Sequence, residues 1–149
     1  YLKMTAADVR EARDTLSTTT SEKLDAVSLG TPHFSVDEFR ALSEVIGDGP
    51  KFAEQIDFYI STSRDVMARS KELGYLDVFL NAGGRVVTDT CTYVTPVLNR
   101  NVKNVMTNSG KWAWYAPGNL GIDTVLGSLS ECVASARAGK VVRDESLWS

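Results

Sequence analysis

The chain has 149 residues, of which 43% are hydrophobic and 23% charged, a composition ordinary for one globular domain with a core of its own. A formal net charge of −3 and a pI near 5.2 argue against a nucleic-acid-binding surface, because the sixteen basic residues are scattered rather than clustered. No apolar run approaches the roughly 20 residues that a membrane-spanning helix needs, and the first residues lack the pattern of a secretion signal. We therefore expect no nucleic-acid partner and no membrane partner.

The two cysteines, Cys91 and Cys132, are too few for a disulfide framework or a four-ligand zinc site. They favour a reducing, cytoplasmic location, and they leave a single disulfide between them open. The chain does not begin with methionine, so we expect a fragment of a longer protein or a chain whose numbering was reset.

Capping residues mark the starts of the predicted helices. Thr5, Ser35 and Ser128 each precede a run with helical apolar spacing, and Glu38 and Glu131 occupy the capping-box position of the last two runs. These signals predict helices over residues 5–16, 35–47, 63–74, 75–80 and 128–138, and a further helix that begins at residue 109.

Short runs rich in β-branched and aromatic residues predict strands between these helices. They span residues 24–29, 57–61, 85–88 and 104–106, with further candidates beginning at residue 122 and at 141–142. A small polar loop and a capped helix follow most of these strands, and this alternation is typical of a mostly parallel sheet flanked by helices. We predict one α/β domain over residues 1–149, with a charged tail at 143–149.

Small polar side chains gather in two loops of the chain. The first, TDTC (88–91), ends the strand at 85–88 and places a thiol beside a carboxylate and two hydroxyls. The second, TNSGK (107–111), leads from the strand at 104–106 into a helix. Because α/β proteins bind ligands where strands end and helices begin, these two loops predict a pocket for a polar ligand.

Four segments, in this order, resemble the aconitase X family: GTPHFS (30–35), TDTC (88–91), TNSGKWAWYAPG (107–118) and GSLSECV (127–133). The resemblance extends from about residue 24 to residue 142 and corresponds to the C-terminal third or so of the large subunit in that family. It implies an aconitase-like domain and an iron–sulfur-dependent dehydratase, that is, a hydro-lyase.

The resemblance implies a small hydroxy acid as substrate. In bacterial and fungal members it implies elimination of water from cis-3-hydroxy-L-proline to give Δ1-pyrroline-2-carboxylate, and in the archaeal branch dehydration of mevalonate 5-phosphate. A third reading, of another class, is a non-catalytic domain that binds a small acid or forms a subunit interface. The family also implies that the catalytic base comes from a small swivelling subunit or domain. The isolated chain is then inactive without that partner and the rest of the large subunit.

Cys91 is the candidate ligand of the implied iron–sulfur cluster, [2Fe–2S] or [4Fe–4S], since such clusters bind soft thiolates. The alternative is a small buried apolar residue, which is the role expected of Cys132 in the last predicted helix. His33 follows a predicted strand and is a candidate catalytic residue, but a lone histidine is more often structural. Some archaeal members carry cysteine where this chain has Thr31, so this chain lacks any ligand which that position supplies in them.

Lys111 is the candidate cation for the substrate carboxylate, on which negative charge builds as the α-proton leaves. Ser109 and Thr90 are candidates for substrate binding beside it, and Ser109 is also a candidate catalytic residue. Asp89 is expected to orient a neighbour or to act as an acid or base. The alternatives are a solvated lysine and a serine that only caps a helix.

Four aromatic residues flank the polar loops. They are Phe34, Tyr93, Trp112 and Trp114. We expect them to form an exposed apolar surface that a partner covers, and the isolated chain to self-associate through it.

Overall fold

The fold is described by a computed structural model that covers residue 1 and residues 3–149. The strands are β1 (Ala26–Leu29), β2 (Asp57–Thr62), β3 (Arg85–Thr88), β4 (Asn104–Thr107) and β5 (Asp123–Leu126). The helices are α1 (Ala6–Thr15), α2 (Val36–Ile46), α3 (Arg64–Glu72), α4 (Tyr75–Asn81), α5 (Gly110–Leu120) and α6 (Leu129–Ala138), followed by a short 3₁₀ helix (Glu145–Trp148). All neighbouring strands run parallel in one sheet of order β3-β2-β1-β4-β5, which confirms the predicted α/β architecture. None of the helices formed by residues 1 and 3–149 has the length and apolar character needed to span a bilayer.

Side-chain caps confirm the predicted helix starts. In α1, α2 and α6 the N-cap hydroxyl accepts a hydrogen bond from the third helical residue, whose carboxylate accepts one from the backbone N–H of the cap. Ser63 and Ser109 cap α3 and α5 through the hydroxyl alone. Each cap satisfies N–H groups that a helix start otherwise leaves unpaired, which stabilises the helix by about 1 kcal/mol.

One face of the sheet carries the main hydrophobic core. Phe58 and Ile60 of β2 pack there with Phe39 of α2 and Phe79 of α4. The rings of Phe58 and Phe79 meet edge to face with their centroids 5.1 Å apart. Cys132 of α6 is fully buried in the same core, as its structural role predicts. Burial of each large apolar side chain contributes about 1.5–3 kcal/mol, so this face provides most of the packing energy.

The opposite face of the sheet has a smaller core with a long loop over it. Val105 of β4 packs there against Trp112 of α5. Residues 89–103, named here the site loop, form turns but no helix or strand. Tyr93 and Leu98 of the site loop pack against this smaller core. The loop therefore takes the place that a helix occupies in a regular α/β layer.

Arg85 fastens the middle of the site loop to the sheet. Its Nε and Nη2 atoms donate hydrogen bonds of 2.6 and 2.7 Å to the two carboxylate oxygens of Asp57. Nη2 also donates to the carbonyl oxygen of Val97 over 2.8 Å. The guanidinium lies over the ring of Tyr59, 5.2 Å from its centroid. The bidentate pair with Asp57 fixes the guanidinium in place, and the third hydrogen bond of Arg85 then holds the site loop at Val97.

Asp25 fastens the end of the site loop. Its carboxylate accepts hydrogen bonds of 2.9 Å from the backbone N–H groups of Lys103 and Asn104. Burial alone disfavours the charged carboxylate, but these two hydrogen bonds and the nearby ammonium of Lys23 outweigh it and lower the pKa of Asp25. The start of β4 is thereby fixed beside β1.

The predicted strand at 141–142 is not formed, and this prediction was wrong. An isolated antiparallel bridge between Lys23 and Lys140 is found in its neighbourhood. The backbone N–H of Val142 donates instead to the hydroxyl of Ser135 over 2.8 Å, which turns the chain back onto α6. The hydroxyl of Ser135 therefore accepts the hydrogen bond that the N–H of Val142 would donate to a neighbouring strand.

The segment predicted as a tail, 143–149, packs against the domain. Trp148 Nε1 donates to both carboxylate oxygens of the buried Glu131 over 3.2 Å. Arg13 donates to the carboxylate of Glu145 over 2.9 Å and lies over the Trp148 ring, 5.1 Å from its centroid. These contacts join the 3₁₀ helix to α1 and α6.

The expected aromatic surface is largely absent, because two of the four residues are buried in the cores. Phe34 is 1% exposed and meets Phe39 edge to face, and Trp112 is fully buried on the inner side of α5. Tyr93 is half-buried, and Trp114 alone among the four is well exposed, at 66%. The position of a side chain on its helix face decides its burial, and nearness to a polar loop does not.

Gly30 lies where the chain leaves β1, and no larger residue fits there. Its φ is +78°, and a Cβ atom would lie 2.2 Å from the carbonyl oxygen of Ser61. We predict that Gly30→Ala lowers the free energy of unfolding by about 2–5 kcal/mol. The left-handed conformation accounts for about 1–2 kcal/mol of this loss and the steric overlap for about 1–3 kcal/mol. Chemical denaturation followed by circular dichroism measures the change.

Gly118 provides the matched control, because it lies in α5 with no heavy atom within 4 Å of an added Cβ. Gly118→Ala should raise the free energy of unfolding by up to about 1 kcal/mol, since alanine favours the helix. Similar effects of the two substitutions would contradict the steric role of Gly30.

Candidate functional site

An open pocket of about 620 Å³ lies at the carboxyl edge of the sheet. Loops that follow β1 and β3, the end of β2 and the first turn of α5 meet there. It is lined by Thr31, Pro32, His33, Ser61, Asp89, Thr90, Cys91, Thr92, Tyr93 and Lys111. This is the edge at which α/β proteins bind ligands, as the two polar loops predict.

The structure brings five of the six predicted site residues together in this pocket. They are His33, Asp89, Thr90, Cys91 and Lys111. The sixth, Ser109, lies behind the lining. Its hydroxyl accepts a hydrogen bond from the backbone N–H of Trp112 and donates one of 3.1 Å to the carbonyl of Thr31. Ser109 therefore caps α5 and ties it to the turn after β1.

The turn after β1 is fixed to the end of β2 by two hydrogen bonds. The backbone N–H of Phe34 donates to the carbonyl of Ser61 over 2.8 Å. The hydroxyl of Thr62 donates to the carbonyl of Phe34 over 2.6 Å, within the protein interior. His33 precedes this anchor and is itself exposed, so the turn presents its imidazole to the pocket and to solvent.

Asp89 lies at the rim of the pocket in an uncommon backbone conformation. Its φ is +51°, in the left-handed region that Asp tolerates better than most residues. Its carboxylate forms an ion pair with Nε of Arg64, at the start of α3, and its backbone N–H donates to the carbonyl of Thr62 over 3.3 Å. The ion pair and the backbone hydrogen bond hold Asp89 between the start of α3 and the end of β2.

The two cysteines have opposite environments. Both are free, so the disulfide that the sequence left open is not formed. Cys91 is exposed in the pocket, while Cys132 is fully buried, and burial raises the pKa of the Cys132 thiol far above its usual value. Cys91 is thus the thiol that can act as a nucleophile or a metal ligand.

The residues of the described part of the chain do not make a complete cluster site. Across residues 1 and 3–149, no group of three or more His, Cys, Asp and Glu side chains is arranged to hold a metal ion. Cys91 and His33 line the same pocket and have the donor atoms that iron–sulfur clusters accept. The donor set therefore fits a partial contribution to a cluster.

Sequence reasoning assigned no site role to several residues of the pocket, among them Ser61 and Tyr93. Ser61 stands inside the apolar run DFYIST of β2, and Tyr93 was assigned only to the flanking aromatic surface. Both line the pocket, and neither Ser61 Oγ nor the Tyr93 hydroxyl has a hydrogen-bond partner among the described residues. A polar residue at the carboxyl end of a buried strand was the available signal for Ser61.

Comparison with known proteins decides the family. The model of the aconitase X third domain matches residues 24–138, which is most of the chain. The chain belongs to the aconitase X family. The family resemblance carried by the four sequence segments is thereby confirmed.

Named relatives of the chain are dehydratases of two kinds. Cis-3-hydroxy-L-proline dehydratase from Pseudomonas aeruginosa is 33% identical over 142 residues, which cover 94% of this chain and 24% of that protein. The large subunit of phosphomevalonate dehydratase from Methanothermobacter thermautotrophicus is 38% identical over 120 residues, 80% of this chain and 29% of that protein. The chain therefore spans about a quarter to a third of the length of these relatives.

A solved structure agrees in fold. The holo-form crystal structure of aconitase X from Thermococcus kodakaraensis matches with a TM-score of 0.74 and 26% sequence identity. The match covers 87% of this chain and 33% of that one. The parallel sheet described above is thus an aconitase-like domain.

The contrast between the two cysteines predicts their reactivity. In the native chain, one thiol, that of Cys91, should react with an aromatic disulfide reagent, because it is exposed to solvent. Cys132 should react only after denaturant is added. Absorbance of the released thiolate counts the reactive groups, and Cys91→Ala should abolish the native reaction. Two reactive thiols in the native chain would contradict the burial of Cys132.

Proposed function

We propose that this chain supplies the third domain of a dehydratase that eliminates water from cis-3-hydroxy-L-proline. One observation carries the proposal: the exposed thiol of Cys91 and the ammonium of Lys111 line the same pocket at the carboxyl edge of the sheet. The chain belongs to the aconitase X family, and its named relatives are dehydratases.

The proposed reaction forms a carbon–carbon double bond in the ring. A base removes the proton from the carbon that bears the carboxylate, and the electron pair left behind forms the double bond to carbon 3. The bond from carbon 3 to its hydroxyl breaks, and the hydroxyl leaves as water once it is protonated. The resulting enamine becomes Δ1-pyrroline-2-carboxylate by moving a proton from nitrogen to carbon.

Lys111 is proposed to bind the substrate carboxylate. Negative charge builds on that group as the α-proton leaves, so a cation placed there stabilises the transition state more than the ground state. Lys111 is the one lysine or arginine among the described residues that line the pocket. No carboxylate of the described residues forms an ion pair with it, so its charge is available to a ligand.

Cys91 is proposed to donate its thiolate to an iron–sulfur cluster, with His33 as a second candidate donor. A bound cluster supplies a Lewis-acidic iron for the leaving hydroxyl. Because Cys132 is buried in the other core, this chain offers one thiolate, and we assign the other ligands to the rest of the protein. Whether that cluster is [2Fe–2S] or [4Fe–4S] follows from those ligands.

The chain corresponds to only part of a large subunit, so we propose two further partners, the rest of that subunit and a small subunit or domain. Several relatives are named as large subunits, and the chain spans 29% of one of them. We propose that the rest of the large subunit closes the pocket, and that a small swivelling subunit or domain brings the catalytic base. We propose that Asp89, through its ion pair with Arg64, holds the loop at the rim of the pocket in position. Thr90 is proposed to contact the substrate.

The charge of the pocket favours the substrate that has one anionic group, the carboxylate of cis-3-hydroxy-L-proline. Of the basic residues nearest in sequence, Arg85 is paired with Asp57, and neither Arg100 nor Lys103 lines the pocket. One lysine matches one carboxylate, whereas a phosphate group requires additional positive charge.

Mevalonate 5-phosphate is the second candidate substrate. The relative that is 38% identical acts on it by name, and Arg64 at the rim could meet a phosphate if it left Asp89. A non-catalytic domain remains the reading if neither substrate is consumed.

Assay of the complete protein that contains this chain tests the proposal. We expect loss of cis-3-hydroxy-L-proline and formation of Δ1-pyrroline-2-carboxylate, with little activity on mevalonate 5-phosphate. Lys111→Met should lower kcat by about 10²–10³-fold, the scale for removing one donor from a developing negative charge. Lys103→Met is the control, because Lys103 is exposed but outside the pocket, and its activity should match the wild type. An active Lys111→Met enzyme would place the carboxylate contact elsewhere.

The cluster assignment has its own test. Cys91→Ser in the complete protein should lower the iron and sulfide content and the visible absorption, because serine is a poor ligand for this soft metal site. Cys132→Ala should keep both, since Cys132 contributes packing. Equal iron loss in the two variants would remove Cys91 from the ligand set.

A further inference from the structure

Two buried hydroxyl groups at the pocket have no hydrogen-bond partner among the described residues. They belong to Ser61, at the carboxyl end of β2, and Tyr93, in the site loop. Ser61 is 1% exposed, and the hydroxyl oxygen of Tyr93 is enclosed although its ring is half-buried. A buried hydroxyl without a partner destabilises the protein, so such groups are rare unless something else satisfies them.

Three other hydroxyl groups around the pocket have protein partners. Thr92 accepts a hydrogen bond from Trp112 Nε1 over 3.3 Å, and Thr90 bonds to Thr95. Ser109 is used by the start of α5 and by Thr31. Ser61 and Tyr93 are the two residues of the pocket lining whose buried hydroxyls lack a partner among residues 1 and 3–149; Ser28, Tyr59 and Ser70 share this property outside the lining.

The backbone fixes Ser61 and leaves its side chain available. Its carbonyl accepts the hydrogen bond from Phe34, and Gly30 lies in close contact with the same oxygen. Ser61 lines the pocket, and its hydroxyl can turn about χ1 because no hydrogen bond among the described residues holds it.

Tyr93 has a complementary property. Its ring meets the ring of Tyr115 edge to face, with centroids 6.4 Å apart, so its position is set by packing. A phenol O–H can donate a hydrogen bond as well as accept one.

We propose that Ser61 and Tyr93 are ligand-contacting residues whose hydroxyl groups bind oxygen atoms of the small hydroxy acid in this pocket. This assignment rests on the proposed function and adds two uncharged contacts to the cation of Lys111. The hydroxyls replace water around the ligand's oxygen atoms, which selects for a compact, oxygen-rich molecule over an apolar one.

Ser61→Ala and Tyr93→Phe in the complete protein test the proposal, with cis-3-hydroxy-L-proline as the probe. Without substrate, both variants should keep or exceed the wild-type Tm, because each loses a hydroxyl that has no partner. With substrate, each should raise KM by about tenfold, the size expected for one hydrogen bond to a ligand, and reduce the substrate-induced rise in Tm.

Ser70→Ala is the matched control. Ser70 is also fully buried with an unpartnered hydroxyl within the described part of the chain, but it lies in α3 and outside the pocket. Its substitution should leave KM and the substrate-induced rise in Tm unchanged.

The possible outcomes distinguish failure of the proposed function from failure of the assignment of Ser61 and Tyr93. A wild-type protein that neither consumes nor is stabilised by cis-3-hydroxy-L-proline overturns the proposed function and this assignment with it. An active wild type with unchanged KM in Ser61→Ala and Tyr93→Phe overturns this assignment alone, and internal water then satisfies the hydroxyls. A drop in Tm without substrate would show that the hydroxyls have partners inside the protein, which also overturns it.

Discussion

The pocket depends on one close contact between the ends of two neighbouring strands. Where the chain leaves β1, Gly30 lies against the carbonyl of Ser61, and the next residues form backbone and side-chain hydrogen bonds to the end of β2. The turn that carries His33 is therefore held by the sheet itself. Ser109 attaches the start of α5 to the same turn, so strand ends and helix start share one rigid support.

This support explains how an ordinary α/β sheet presents a reactive edge. The four-helix side of the sheet, covered by α2, α3, α4 and α6, contains most of the large apolar side chains. The other side is left to α5 and the site loop, and polar side chains such as Arg85 and Tyr59 lie beneath that loop. The main core and the site loop thus lie on opposite faces of the sheet.

Most of the fold could be predicted from the sequence, because its signals are local. The sequence predicts caps at Thr5, Ser35 and Ser128, with capping boxes at Ser35 and Ser128, and the structure contains all of them and a further box at Thr5. The strand prediction at 141–142 failed because the backbone N–H of Val142 bonds to the side chain of Ser135. The sequence Val141-Val142 alone does not show that a side chain seven residues earlier will accept this hydrogen bond.

The site could be predicted in part, for a similar reason. Loops that follow parallel strands must meet at one edge, so Cys91 and Lys111 could be brought together from the sequence. The burial of Phe34 and Trp112, by contrast, depends on which face of its element each side chain occupies. Ser61 could not be distinguished from a packed strand residue, because the absence of a partner for its hydroxyl, seen among the described residues, is a three-dimensional property.

The sparse attachment of the site loop has a consequence for access to the thiol of Cys91. Residues 89–103 lack a strand ladder or helix, and Arg85, Asp25 and Trp112 supply their main side-chain ties. Segments held in this way open locally at a lower free energy than the strands beneath them. Cys91 is carried by this segment and not by the sheet. Opening of the site loop alone would therefore expose the thiol to the groups that complete the site, while the strands stay folded.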